Sequence, residues 1–90
     1  MANNFELFQN YPNPFNPVTR IRFDISHKQK ISLKIYDVLG REVATLVDNI
    51  LSQGSYEYHF NAGNLAGGVY FYQLKAGNDR LQTRKMILVK

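Results

Sequence analysis

At 90 residues the chain has room for one domain and one core, and 44% hydrophobic with 13% aromatic residues excludes intrinsic disorder. The absence of cysteine excludes a disulfide framework and a thiolate metal site, and it leaves the redox compartment open. The net charge of +4 comes from basic residues dispersed among seven acids, the pattern of solvated strand faces and not of a nucleic-acid footprint.

The start, Met1-Ala2-Asn3-Asn4, lacks the basic and apolar regions of a signal peptide, and no apolar run reaches the roughly 20 residues of a membrane span. As written, the chain is expected to stay in the cytosol. If residues 1–4 are an added start or a linker remnant, an export signal belongs to another part of a precursor.

Phe5 to Phe8 reads as a weak first strand. Next, Tyr11-Pro12-Asn13-Pro14-Phe15-Asn16-Pro17 places all three prolines within six consecutive positions. Each proline fixes its φ, removes a donor and pushes the preceding residue toward extended geometry, so neither helix nor central strand is available. The segment is expected to be a stiff ramp, pinned to the core by Tyr11 and Phe15, that keeps the first edge from pairing.

Beyond the ramp, apolar residues recur with the period of two expected of half-buried strands, and no window shows helical spacing. Ile21, Phe23 and Ile25 mark one strand, and Ile31, Leu33 and Ile35 the next. Asp37-Val38-Leu39-Gly40 is a tight link whose glycine can take positive φ, and Arg41 to Val47 returns from it. Asp48 to Gly54 reads as a loop. Tyr56, Tyr58 and Phe60 define another strand, Asn61 to Gly68 a glycine-bearing connection, Val69 to Lys75 a strand, Ala76-Gly77-Asn78-Asp79 a turn, and Leu81 to Val89 the last strand. The expected fold is an all-β, antiparallel immunoglobulin-like β-sandwich of about seven short strands.

No residue pattern supports catalysis. His27 and His59 lack metal-ligand spacing, and the carboxylates are scattered and lie near basic residues, as surface ion pairs do. Gly67-Gly68 precedes a strand, whereas a phosphate loop opens a helix. Tyr56, Tyr58, Tyr70 and Tyr72 could form a stacking platform for sugars, but core filling explains them better. The run Arg84-Lys85-Met86-Ile87-Leu88-Val89-Lys90 carries strand character to its end. Lys85 and Lys90 would guard it against edge-to-edge association, or a receptor would read it by strand addition or through a pocket for the terminal carboxylate.

Several motifs together carry a resemblance. They are Gln9 to Pro17 followed by Thr19-Arg20-Ile21-Arg22-Phe23, then Leu33 to Val43, Gly54-Ser55-Tyr56, Leu65 to Tyr72, and Arg84 to Lys90. From Phe5 onward the chain resembles the type A C-terminal sorting domain of the type IX (Por) secretion system. The resemblance implies a non-catalytic sandwich module, residues 5–90, without cofactors. It would direct an N-terminal cargo through the outer-membrane translocon of a Gram-negative bacterium, passing through the periplasm. A surface sortase would then remove it, leaving the cargo released or anchored. Recognition is expected at Gly40, Arg41 and Glu42, where Arg41-Glu42 would form a charged pair at the hairpin tip. It is also expected at Gly68, Val69 and Tyr70 and along Lys85, Met86, Ile87, Leu88, Val89 and Lys90, with Pro12 to Pro17 structural. Nucleic-acid binding and membrane insertion are not expected, whereas edge-strand self-association is possible. The alternative is a carbohydrate-binding or adhesive accessory domain that uses Tyr56 and Tyr72 as contacts.

Overall fold

In a computed structural model that describes residues 5–77 and 80–90, the chain forms seven strands. They are β1 (Phe5–Leu7), β2 (Val18–Ile25), β3 (Gln29–Tyr36), β4 (Glu42–Leu51), β5 (Gly54–Asn61), β6 (Gly68–Ala76) and β7 (Arg80–Leu88). Two antiparallel sheets, ordered β1-β2-β5 and β4-β3-β6-β7, form the immunoglobulin-like sandwich. Residues 1–4, and Asn78 and Asp79 of the expected last turn, lie outside the described residues.

Alternation builds the core. Ile21, Phe23 and Ile25 from one sheet meet Ile31, Leu33, Ile35, Tyr72, Leu74, Met86 and Leu88 from the other, all buried. Each such aliphatic side chain contributes about 1.5–3 kcal/mol on leaving water. Tyr56 and Tyr58 lie against Phe23, with centroids 5.5 and 5.9 Å away.

Three expectations are corrected. Asp48 to Leu51 do not form a loop; they extend β4 opposite Gln29 to Ser32, which leaves Ser52-Gln53 as the link to β5. β4 is an edge strand, and Asp48, Asn49 and Ile50 are all exposed, so pairing continues where the apolar alternation has stopped. Register shifts opposite Leu33/Lys34 and Ile35/Tyr36 blur the period further.

The ramp's two aromatics also part ways. Phe15 is buried, 6.4 Å from Phe60, whereas Tyr11 is 68% exposed and pins nothing to the core with its ring. Tyr11 acts through its backbone, exchanging hydrogen bonds of 3.0 and 2.9 Å with Arg20, whose guanidinium lies over the ring.

Finally, the ramp pairs where it was expected to keep an edge free. Phe15 forms a parallel bridge to Leu88, its N–H donating to the Ile87 carbonyl and its carbonyl accepting from Val89 N–H, both at 2.9 Å. Pro12 and Pro14 lie between the two bridge points and Pro17 just beyond the second, at positions where no donor is required.

Candidate recognition site

Strand register places the expected site residues. β6 pairs with β7 from Gly68↔Leu88 to Ala76↔Arg80, and with β3 from Tyr36↔Phe71 to Ile31↔Ala76. The β3–β4 turn therefore shares one end of the sandwich with Gly68, Leu88 and Phe15. The Asn61 to Gly67 connection joins them there, with Ala62 N–H donating to the Pro17 carbonyl at 2.8 Å. Phe5 sits opposite Ile25, and Ile25 opposite Gly54, at the other end of a molecule 39 Å long. Gly40 to Glu42, Gly68 to Tyr70 and Lys85 to Lys90 thus gather at the end remote from Phe5.

Not all of them face outward. Met86, Leu88 and Tyr70 are buried in the core, and the Tyr70 hydroxyl donates to the Ala66 carbonyl at 2.6 Å. Lys85, Ile87, Val89 and Lys90 reach solvent, while Val69 is half-buried. The Lys90 ammonium donates to the Gly63 carbonyl at 2.7 Å, tying the last residue to the connection before β6. Gly67 faces the last strand so closely that a Cβ there would lie 3.4 Å from the Leu88 carbonyl.

The edge of β7 is occupied. Gln9 Nε2 donates to the Lys85 carbonyl at 2.8 Å, Asn13 Oδ1 accepts from Ile87 N–H at 3.0 Å, and Phe15 follows beside Leu88. Nearer the Phe5 end, Leu7 N–H donates to Gln82 Oε1 at 2.9 Å and the Leu7 carbonyl accepts from Arg84 Nε at 2.8 Å. Residues 5–15 therefore run alongside β7 from Gln82 to Val89. Strand addition at Met86 to Lys90, one of the two modes expected from sequence, would require this segment to leave first.

The turn also differs from expectation. Gly40 has φ +82°, which favours glycine, and Asp37 Oδ1 accepts from the N–H groups of Leu39 and Arg41 at 2.9 and 3.0 Å. Arg41 Nε donates to Asp37 Oδ2 at 2.8 Å, while Glu42 accepts from Thr45 and pairs with Lys34 at 3.5 Å. Arg41 and Glu42 are thus each paired elsewhere and do not form one charged pair. The Arg41 N–H, more than its guanidinium, holds the Asp37 carboxyl below its ordinary range.

Sequence reasoning missed the polar lock beneath the ramp. Asn10 and Thr19 are buried, and Asn10 Nδ2 donates to Thr19 Oγ1 at 2.9 Å and to the Pro12 carbonyl at 3.1 Å. The available signal was Thr19 at an inward position of β2's alternation, which needs a partner. Tyr72 is also inside, so neither it nor Tyr56, stacked on Phe23, offers a free ring for sugar. Among the described residues, no group of three or more potential metal ligands converges.

A family model described as a secretion system C-terminal sorting domain matches residues 9–90. The chain belongs to this family. The sorting domain is a type IX secretion signal, a non-enzymatic class of module that engages the secretion machinery on behalf of a fused N-terminal cargo and takes it to the cell surface or beyond. Among the described residues, no helix is long and apolar enough to cross a membrane.

Solved structures share the fold. A Listeria innocua β-glucosidase in complex with isofagomine superposes with TM-score 0.69 at 10% identity, over 93% of this chain and 16% of that one. A β-glucosidase from Erythrobacter marinus does so with TM-score 0.63 at 11% identity, over 94% and 15%. The sorting domain spans about a sixth of the length of these enzymes, and the likeness is one of fold alone. No curated protein matches the chain.

Proposed function

We propose that residues 5–90 form the sorting module, with the cargo joined at the Phe5 end and the type IX translocon reading the opposite end. The translocon would contact Gly40 to Glu42, Gly68 to Tyr70 and Lys85 to Lys90. One observation carries this reading: the expected recognition residues gather at the end farthest from Phe5, so a folded cargo leaves them uncovered. The module folds in the periplasm of a Gram-negative bacterium and engages the translocon with its cargo. A sortase removes it at the surface.

The test is a reporter with a signal peptide, fused ahead of Phe5 and expressed in a type IX-secreting bacterium. Export of the reporter is expected, together with its retention in the periplasm when Val89 and Lys90 are removed. Unchanged export by that shortened, folded domain would refute reading at the terminus.

A further inference from the structure

We infer that the outer face of the four-stranded sheet carries a docking strip for an apolar segment of the export machinery flanked by carboxylates. This rests on the sorting reading above. Antiparallel sheets with one wet face place polar residues there, and Lys30, Ser32, Lys34, Gln73, Lys75 and Thr83 follow that rule. Near the Phe5 end the rule is broken singly, by Leu81 opposite Lys75 and Ile50 opposite Lys30, whereas at the end remote from Phe5 it is broken by neighbouring residues together. Ile87 lies opposite Val69, Phe71 follows Val69 on the same face, and Tyr36 lies opposite Phe71.

The apolar patch thus runs from Ile87 on β7 through Val69 and Phe71 on β6 to Tyr36 on β3, with Lys85 at its margin opposite Phe71, and Val38 lies beside it at the turn. Tyr36, Val38, Gly40 and Phe71 line a shallow groove together with the polar Asp37, Gln73 and Thr83. Val38 is 65% exposed, Leu39 73% and Ile87 36%, so the patch presents apolar surface to water instead of packing under a loop.

The charges around the patch indicate what covers it. Lys30 pairs with Asp48 at 3.3 Å, Lys34 with Glu42 at 3.5 Å and Arg41 with Asp37 at 2.8 Å. Lys75 and Lys85, on the same face, have no acid within ion-pair distance among the described residues, and Lys85 lies opposite Phe71. An apolar patch with the Lys85 ammonium at its margin and Lys75 four residues along β6 on the same face, neither paired with an acid among the described residues, complements an apolar segment with carboxylates at its margin. A second copy of this domain, with net charge +4, is the poorer match.

The experiment uses the reporter fusion in a type IX-secreting bacterium. Two double variants, Val38→Ser with Ile87→Ser and Lys75→Glu with Lys85→Glu, are each expected to lower the exported fraction about tenfold. Circular dichroism should show both to be folded, and retained full-length fusion should accumulate in the periplasm. A photoreactive side chain at Thr83 should cross-link to a secretion component, and the lysine double variant should lose that adduct. Wild-type export by both folded variants would overturn the docking strip and leave the sorting reading standing. So would dimerisation of the isolated domain, abolished by the same substitutions with export unchanged, because the strip would then be a self-contact. Failure of the unaltered fusion to be exported would instead refute the sorting reading, and this inference with it.

Discussion

The Tyr72 hydroxyl accepts a hydrogen bond from the Asn10 N–H and donates one to the Phe8 carbonyl, both at 2.7 Å. One phenol in the middle of β6 thereby binds the backbone on either side of Gln9, where the chain leaves β1 for the ramp. The Asn10 side chain continues the network to Thr19 Oγ1, which itself donates to the Pro12 carbonyl at 2.8 Å. Because three ramp residues have no N–H, the ramp is fastened mainly by its neighbours' polar groups and by Phe15.

Tyr72→Phe keeps the ring but leaves the Asn10 N–H and the Phe8 carbonyl without their partner. Unsatisfied buried groups cost about 1–3 kcal/mol each, about 2–6 kcal/mol for the two, so the variant should melt at least about 8 °C below the wild type. Differential scanning calorimetry checks this. A melting point within about 2 °C of the wild type would show that water replaces the hydroxyl at little cost.

The same hydroxyl makes stability sensitive to alkali. Burial pushes the Tyr72 phenol up from 10.0 to about 12, against the opposing effects of the Asn10 N–H and the charge of Arg84. The folded state thus holds a proton that the unfolded chain releases near pH 10. The resulting stabilisation is complete below that pH and is lost as pH rises toward about 12. Urea midpoints should fall more steeply between about pH 9 and pH 11.5 in the wild type than in Tyr72→Phe.

The ramp's aromatics should respond differently to truncation. Phe15→Ala removes a buried ring and should cost about 3–5 kcal/mol, whereas Tyr11→Ala, at an exposed site, should stay within about 1 kcal/mol. Hydrogen exchange should also show Val89 N–H losing protection in Phe15→Ala, since its acceptor is the Phe15 carbonyl. Equal destabilisation by the two variants would contradict the distinct roles of the rings.

These two residues illustrate what can be read without coordinates. Period-two runs such as Ile31-Leu33-Ile35 declare a strand and its buried face, because one face must leave water. The family motifs locate the module as well. Tyr11 and Phe15 look alike in sequence, yet the backbone between the two bridge points directs one ring inward and the other out. Asp48 to Leu51 failed for another reason: an edge strand can pair without burying alternate residues, so its periodicity disappears. The gathering of Gly40, Gly68 and Lys90 at one end depends on register, which composition does not encode.

The Asp37 turn should loosen in acid. Its carboxyl is held below the ordinary 3.8, chiefly by the Arg41 N–H, so the folded state favours the ionised form more than the unfolded chain does. That stabilisation is present above the ordinary carboxylate range and is lost as pH falls through the lowered folded value. Leu39 and Arg41 amides should therefore lose protection in Asp37→Ala at neutral pH, and Asp37→Asn should retain part of it. Gly40→Ala should cost about 1–2 kcal/mol from the left-handed backbone alone. Exchange rates for the two amides that match the wild type in Asp37→Ala would show that the turn's backbone bonds suffice.

Truncation experiments at Lys90 depend on which residues are core. Removing Met86 to Lys90 deletes two buried side chains, at about 2–5 kcal/mol each, and the partner that closes over Phe15. That total approaches or exceeds the 5–15 kcal/mol on which a domain of this kind stands, so the shortened chain should show unfolded circular dichroism. Removing only Val89 and Lys90 forfeits the hydrogen bonds to Phe15 and Gly63 and leaves Met86 and Leu88 in place. About 1–3 kcal/mol should be lost and the fold retained. Export lost with the five-residue deletion therefore reports folding, and export lost with the two-residue deletion reports recognition. If the longer deletion melts cooperatively near the wild type, β7 contributes less to the core than its burial implies.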